Sequence, residues 1–597
     1  MKSFLAPLKA LSFLGREPVT IPLGEVRPAS PTYRGFHLND WDQCIGCGTC
    51  SMICDNDAIR MVNIPDLLND PIKGIKPYRP AIDYGRCCWC ALCVDICPTG
   101  AIALSREYVH VDTDLDTFFI LPDEKGIHNQ HFEKGWAKSP DADLLDLRRK
   151  PMPEMEAEER IDSFAEITQG FDDETAFFEA SRCIQCGMCH DACPTHMNAP
   201  EYIRSIWTGD LEEAVRQIYR TNPLASVCGR VCTHRCETAC SVGRRGDAVA
   251  IRWLKRYAMD HVSHDTVKKI AAEGAATTLT GRKVAIVGSG PAGLTTAYDL
   301  ARHGHSVTIF EAYKEPGGMM RYGIPEYRLP YDKLDDDINV IRSVGVDIQC
   351  DTKIGETITM EQLQQDYDAV ILATGLHLGR STRIPNTDHP QVRSAVDLLS
   401  LVTANEPIDV PEKIVVIGGG NVAFDIARSL ARYQKEKYGK VGMTVTALEP
   451  VDKMLADPTE VTESNEENIA LFNSRGPRQC VVEDGELKGL ETVRCVSIFD
   501  ETGRFHPKYD ESDMIFHEAQ MVVEAIGQAP NLNYLGDAIT EELEWDKRGR
   551  PIIDDNGRTA LKWLWAAGDL VKGPDVIHGV AFGHKVADDV HQYLESL

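Results

Sequence analysis

Sixteen of the twenty cysteines in this chain fall into four quartets, all within the first 240 residues. They are Cys44-Cys47-Cys50-Cys54, Cys87-Cys90-Cys93-Cys97, Cys183-Cys186-Cys189-Cys193 and Cys228-Cys232-Cys236-Cys240. Three have the spacing C-x2-C-x2-C-x3-C, and two of those end in Cys-Pro. That run wraps a cubane iron–sulfur cluster in thiolates, whose soft sulfur suits iron. Structural zinc uses two separated C-x2-C pairs, so the tight quartets point to iron. Two glycine-rich nucleotide loops follow downstream. Clusters at one end and nucleotide folds at the other imply traffic between one-electron and two-electron carriers.

With 597 residues the chain has room for three to four domains of about 150 residues each. No run of 18 apolar residues occurs, so no membrane span is expected. Residues 1–15 (MKSFLAPLKALSFLG) are apolar, carry few charges and lack a small-residue cleavage site, which predicts an amphipathic docking segment rather than a signal peptide. A net charge of −28 repels phosphates and excludes nucleic acid as a partner. Metal-type cysteine spacing without a secretion signal predicts reduced thiols and a cytoplasmic location. Cys88 is spare beside its quartet, and Cys350, Cys480 and Cys495 stand apart as expected buried structural thiols.

The chain divides on pattern into a two-cluster ferredoxin-like α+β domain over 1–110, an acidic linker over 111–170 and an α-helical two-cluster domain over 171–275. Parallel α/β sheets follow from about 280; the resemblance given below implies that 280–395 and 521–597 form an FAD-binding domain with a nicotinamide-nucleotide domain inserted at 396–520. In the first domain each quartet precedes a short apolar stretch (Asp57-Ala58-Ile59 and Gly100-Ala101-Ile102), an internal repeat. In two-cluster ferredoxins the fourth cysteine of each run crosses to the other cluster. Cys44, Cys47, Cys50 and Cys97 are therefore expected to hold one cluster, and Cys87, Cys90, Cys93 and Cys54 the other.

The segments REPVTIPL, SPTYRGFH, CIGCGTC and IDYGRCCWCALCVDICPTGAI resemble the two-cluster ferredoxin-like subunit of complex I and related membrane hydrogenases. That resemblance implies docking to a redox partner, with peripheral attachment to a membrane complex as one form of it. The segments FFEASRCIQCGMCHDACPTHMNAPEYI, NPLASVCGRVCTHRCETAC and AIRWLKRYAMD are similar to three proteins. These are the small subunit of glutamate synthase, the amino-terminal part of dihydropyrimidine dehydrogenase and the large subunit of the bifurcating NADH:ferredoxin–NADP transhydrogenase. The resemblance implies that Cys183, Cys186, Cys189 and Cys240 hold one cluster and that Cys193, Cys232 and Cys236 hold three corners of another. Relatives place Gln or Glu at the fourth corner. Lys255 stands there in this sequence, and its charged form has no lone pair, so Cys228 is the expected fourth ligand. His190, His196 and His234 are read as surface or hydrogen-bonding residues rather than ligands.

The run KVAIVGSGPAGLTTAYDLARHGHSVTIFE carries Gly288, Gly290 and Gly293 between a strand and a helix, with Glu311 ending the next strand. Glycine permits the tight turn, the helix N-terminus takes pyrophosphate and the acid takes ribose hydroxyls. The same resemblance implies that Gly317-Gly318 and the following RYGIPEYRLP run along FAD, with Asp569 near its ribityl and phosphate groups. The second loop, KIVVIGGGNVAFDIARSLARY, brings Gly418, Gly420, Asn421 and Ala423 to a nicotinamide nucleotide. Glu449 ends its following strand, where NADP-using relatives carry arginines. A carboxylate there accepts from a ribose 2′-OH and repels a 2′-phosphate, which predicts NADH over NADPH. The flavin region has no C-x2-C pair, so no thioredoxin-reductase type of disulfide relay is expected.

These readings predict an oxidoreductase with FAD, four 4Fe-4S clusters and NAD(H) as substrate. It would pass electrons to or from a ferredoxin, a hydrogenase or another redox subunit in a hetero-oligomer, electron-bifurcating in one version. The alternative is the small (beta) subunit of a glutamate synthase. The chemistry belongs to the cofactors, so no catalytic side chain is named. The clusters at 171–250 are expected nearest the flavin.

Overall fold

A computed structural model describes residues 6–17, 20, 28–123, 133–137 and 143–597. It divides the multidomain chain into one unit of Met1–Leu147 with Ser241–Gly246 and a second of Arg148–Cys240 with Asp247–Leu597. Among the described residues no helix is long and apolar enough to cross a membrane.

In the first unit, two cysteine loops each run into a four-residue helix, Thr49–Met52 and Leu92–Asp95. Strand His37–Asn39 lies before the first loop and pairs antiparallel with Ile102–Leu104, which follows the second loop. Ile59–Asn63, after the first loop, pairs with Tyr78–Asp83, before the second. This exchange of strands folds the end of each loop back on the start of the other. Phe36, Leu38, Ile59, Ile82 and Ile102 pack into the core beside the cysteines.

The expected linker over 111–170 is built into both units. Phe119–Ile120 adds a third strand to Tyr78–Asp83, because its apolar side chains extend an existing sheet edge. Residues 124–132 and 138–142 of that stretch lie outside the described residues. The expected docking segment forms a 3-10 helix over Ala6–Phe13 with Leu8, Leu11, Phe13 and Leu14 exposed. Its first five residues, like part of the REPVTIPL segment, also lie outside the described residues.

The second unit opens with a helical layer. Asp172, Asp210 and Ser263 cap three of its helices through side-chain oxygens. Ala199–Trp207, Leu211–Tyr219 and Ile251–His261 turn apolar faces inward, burying Tyr202, Ile203, Val215, Ile218 and Leu254. Two parallel sheets follow. The first runs Leu564–Ala566, Ala369–Leu372, Lys283–Val287, Ser306–Phe310, Asp347–Gln349. The second runs Val392–Ser394, Met521–Glu524, Ile414–Ile417, Met443–Thr446, Ala470–Phe472. Val392–Ser394 and Met521–Glu524 thus belong to the second sheet, whereas the sequence divided the domains at 396 and 520. Met521–Glu524 is buried throughout because it lies between two neighbouring strands, and periodicity cannot tell which sheet claims such a run. An antiparallel sheet of Arg475–Glu483, Glu486–Phe499 and Phe505–Glu518 completes the unit. Cys480 and Cys495 are buried, and Cys350 is half-buried.

A buried charge network ties the later part of the expected linker to the nucleotide domain. Arg428, fully buried, pairs with Glu460, Glu463 and Glu467. Arg432 and Arg160 converge on the same Glu467, and the Arg428 and Arg432 guanidinium groups lie over the Tyr327 ring at 4.8 and 4.1 Å. Removing one partner of such a set leaves buried charge uncompensated, which costs about 3–5 kcal/mol. Arg428→Met is therefore expected to lower the urea midpoint of this unit by a corresponding amount. Unfolding monitored by intrinsic fluorescence checks it.

Candidate cofactor sites

The cysteine loops share one backbone device. A residue two places after a cysteine adopts left-handed backbone in each loop: Gly46 (φ 70°), Trp89 (φ 54°) and Gln185 (φ 57°) after the first cysteine of their quartets, and His234 (φ 37°) after the second of its own. Its N–H points back to that cysteine's sulfur, Gly46 to Cys44, Trp89 to Cys87 at 3.4 Å, Gln185 to Cys183 and His234 to Cys232. Left-handed backbone at a non-glycine residue costs about 1–3 kcal/mol. Three of the four positions accept it, so the turn is held by what it presents: an N–H aimed at sulfur, suited to an anionic cluster. In the fourth loop the device starts at Cys232, with Cys228 one helical turn earlier in Ala225–Val231.

The neighbours of each thiol define the sets. Burial pushes Cys50 up, reinforced by Cys47, Cys93, Cys44 and Cys97. Cys93 is raised by burial and then by Cys87, Cys90 and Cys54. The crossing of Cys97 to Cys44 and Cys50, and of Cys54 to Cys87 and Cys93, follows from the strand exchange. In the second unit, burial raises Cys189, with Cys186, Cys183 and Cys240 beside it. Burial likewise raises Cys236, with Cys232 and Cys193 beside it. Buried thiols raised in this way stay protonated until a metal displaces the proton.

The last set surrounds a lysine. A cavity is walled by Cys193, Cys232, Cys236, Tyr202, Lys255 and Ile577. Burial works against the Lys255 ammonium, and Cys228, Cys232, Cys193 and Cys236 around it outweigh burial and raise its pKa. Cys228 is hydrogen-bonded to Cys232, which lifts the Cys228 pKa and lowers that of Cys232. A buried cation ringed by thiols is a suitable counter-charge for an anionic cluster. His234 faces Asp457 at 3.5 Å rather than the thiols, and His190 bonds Asp191.

The histidine that does reach a sulfur is one sequence reasoning missed. His37 Nε2 lies 3.4 Å from Cys93 Sγ, and burial pushes its imidazole down to about 4. It precedes the first quartet by seven residues, and no spacing rule connects it to Cys93.

The nucleotide loops share a second cavity of about 930 Å³, lined by Gly288, Gly290, Gly318, Glu311, Asp569 and Asn421 among others. Gly293 packs so tightly that a Cβ there would stand 2.1 Å from the Gly288 carbonyl oxygen. Glu311 is buried and accepts hydrogen bonds from the Ser289 and Tyr313 N–H groups, both at 3.0 Å. Gly317 N–H donates to Ser289 Oγ at 3.0 Å, and Gly318 abuts Gly290, so the two segments expected along FAD meet. Burial raises Asp569 to about 6, with Asp575 adding to it. The cavity volume, the acid and the helix starting at Pro291 fit a dinucleotide.

At the second loop, Gly418 and Gly420 lead into helix Asn421–Tyr438, with Ala423 buried against the turn. Glu449 Oε2 lies 2.7 Å from where a Gly419 Cβ would stand, so its carboxylate rests on the loop. Arg328 and Asp425 also line the cavity and bond one another at 2.8 Å. Both lie inside motifs whose reading named neither of them.

Thr233, between Cys232 and Cys236, lines this same cavity and donates to Asp575 Oδ2 at 2.8 Å. The cysteine loop, the first nucleotide loop and Asn421 thus open on one space.

Residues 282–582 match the pyridine nucleotide-disulphide oxidoreductase family. Residues 160–267 match dihydropyrimidine dehydrogenase domain II with its 4Fe-4S cluster, and residues 43–101 a 4Fe-4S dicluster domain. Over 434 residues the chain is 37% identical to the NADP(+)-dependent formate dehydrogenase subunit beta of Moorella thermoacetica, covering 68% of this chain and 60% of that protein. It is 33% identical over 436 residues to the NAD-dependent dihydropyrimidine dehydrogenase subunit PreT of Escherichia coli (strain K12), covering 72% and 97%. It is 30% identical over 479 residues to the glutamate synthase (NADPH) small chain of Halomonas elongata, covering 76% and 98%. The chain therefore spans less than two thirds of the formate dehydrogenase subunit's length.

Gly293→Val forces a larger group against the Gly288 carbonyl. It is expected to weaken flavin binding by about 1–3 kcal/mol, checked by the flavin-to-protein ratio in visible absorbance.

Proposed function

Because the chain belongs to the pyridine nucleotide-disulphide oxidoreductase family, we propose that it is the NAD(P)H-handling subunit of a larger redox assembly. In this reading it passes electrons between NAD(P)H and a partner redox protein through FAD and four 4Fe-4S clusters. When bound, the flavin supplies the exchange between a two-electron hydride and the single electrons that clusters carry. The observation that carries the reading is Thr233: the Cys232–Cys236 loop borders the cavity that both nucleotide loops share. The chain's own residues would set the cluster of the Cys232–Cys236 loop beside the nucleotide cavity, with the buried Lys255 shaping its electrostatics.

Cys44, Cys47, Cys50 and Cys97 would hold one cluster, Cys87, Cys90, Cys93 and Cys54 a second, and Cys183, Cys186, Cys189 and Cys240 a third. Cys193, Cys232 and Cys236 would hold three corners of the fourth cluster. An ammonium offers iron no lone pair, so Cys228, next to Cys232, is the thiol within reach of its last corner and Lys255 the counter-charge.

The anaerobic chain is expected to contain about sixteen irons and to reduce a viologen dye with NADH. The double variant Cys232→Ser, Cys236→Ser should keep NADH-driven bleaching of the flavin and lose viologen reduction. Undiminished viologen reduction would refute the route. Cys228→Ser should lower the iron content, whereas Lys255→Gln should leave it unchanged.

Glu449 supports NADH as the preferred nucleotide. The relatives' names are divided, NADP(+) for the formate dehydrogenase subunit and NAD for PreT, so the preference for NADH rests on the residue at the loop. Glu449→Arg is expected to shift the kcat/KM ratio of NADH to NADPH by at least about tenfold toward NADPH, a change of about 1.4 kcal/mol. A wild-type preference for NADPH would overturn the assignment.

Similarity to the Halomonas elongata protein supports a second reading, a glutamate synthase small subunit. The additional dicluster domain at 43–101 speaks against it. Co-purification from native cells separates the two: a synthase large subunit supports the second, whereas a hydrogenase or other redox enzyme supports the first.

A further inference from the structure

We infer that His37, through Nε2–H, donates a hydrogen bond to the Cys93 sulfur and thereby raises the reduction potential of the cluster held by Cys87, Cys90, Cys93 and Cys54. The inference rests on the cluster assignment proposed above, and the residues around His37 define the proton's place.

His37 is 1% exposed and Tyr84 6%. The backbone N–H of His37 donates to the Tyr84 hydroxyl oxygen at 2.8 Å. That oxygen is also 3.1 Å from His37 Nδ1. Among the described residues Nδ1 is the one acceptor offered to the phenolic proton, so we assign the hydroxyl as donor and Nδ1 as acceptor. A neutral imidazole with an accepting Nδ1 carries its proton on Nε2, and Nε2 is the atom 3.4 Å from Cys93 Sγ. Tyr84 is fixed in turn, because its backbone N–H donates to the Phe118 carbonyl and its ring lies at 4.7 Å, edge-on, from Phe36 and stacks at 5.8 Å on Trp89. Trp89 is the left-handed residue whose N–H meets Cys87. One connected arrangement therefore aims two N–H donors at two sulfurs of one thiol set.

Strand alternation extends the same logic. His37 and Asn39 are two residues apart on one strand and so share a face. Asn39 is fully buried, and its side-chain amide lies against Cys44, where it favours that thiol's anion. Its position suits a donor to the other thiol set.

The physical effect follows from charge. Reduction adds an electron to an already anionic cluster, and an N–H dipole with its positive end at sulfur stabilises the reduced form more than the oxidised one. Removing the donor should make one-electron reduction about tenfold less favourable, a shift of about 59 mV to lower potential.

The test is an EPR-monitored redox titration of the full anaerobic chain, with iron determined in parallel. His37→Leu is expected to lower the potential of one cluster and leave the other signals in place. His37→Gln keeps an N–H donor and should restore most of the potential. Tyr84→Phe frees the ring to take the other tautomer and should shift the same cluster in the same direction by less. Should His37→Leu fail to retain iron, Tyr84→Phe and His37→Gln carry the comparison. Unchanged potentials in Tyr84→Phe and in an iron-replete His37→Leu overturn the inference and leave the functional reading intact. A wild-type chain too poor in iron to fill the first two quartets overturns the functional reading and this inference with it.

Discussion

A backbone N–H aimed at a thiol sulfur from a left-handed turn is the interaction on which the cluster-bearing parts of this molecule depend. It recurs in all four cysteine loops, at Gly46, Trp89, Gln185 and His234. Only the first of these residues is a glycine, so the other turns hold against an intrinsic preference of about 1–3 kcal/mol each. A loop of this kind has little regular structure of its own. Its stability comes from the elements that frame it, exchanged strands in the first unit and helices in the second, and, in the functional reading, from the inorganic group that the thiolates would surround.

Burial governs the electrostatics of these sites. Thiols such as Cys50, Cys93, Cys189 and Cys236 are pushed up by desolvation and by one another, which makes them poor anions alone and good ligands together. Lys255 is the complementary case, a buried cation that thiols stabilise. In the nucleotide domains the buried cations are balanced by carboxylates instead, as in the set that joins Arg428, Arg432 and Arg160 to Glu467. That set binds a segment with the composition of a linker firmly to the second parallel sheet.

Much of the candidate site was legible because its chemistry is written in local spacing. Gly288, Gly290, Gly293 and Glu311 occupy one strand–turn–helix–strand run, and each cysteine loop is contiguous. The misplacements were of another kind. Phe119–Ile120 reads as linker because a two-residue strand has no period to detect, yet a sheet edge accepts it. Met521–Glu524 reads equally well in either sheet, and pairing with Ile414–Ile417 assigns it. His37 and Thr233 had no signal at all, since each matters through a neighbour that the fold supplies, Cys93 for one and Asp575 for the other.

The sequence by itself determined the inventory: which thiols are spaced as iron ligands, which glycines sit in strand–turn–helix loops and which acids end the following strands. These follow from chemistry confined to a few adjacent residues. The tertiary structure alone decided what those groups face. Antiparallel strand exchange brings Cys97 to Cys44, helix packing rings Lys255 with four thiols, and the shared cavity sets Thr233 beside both nucleotide loops. The physical reason is that contacts between segments far apart in the chain depend on how whole faces pack, and no local spacing encodes that.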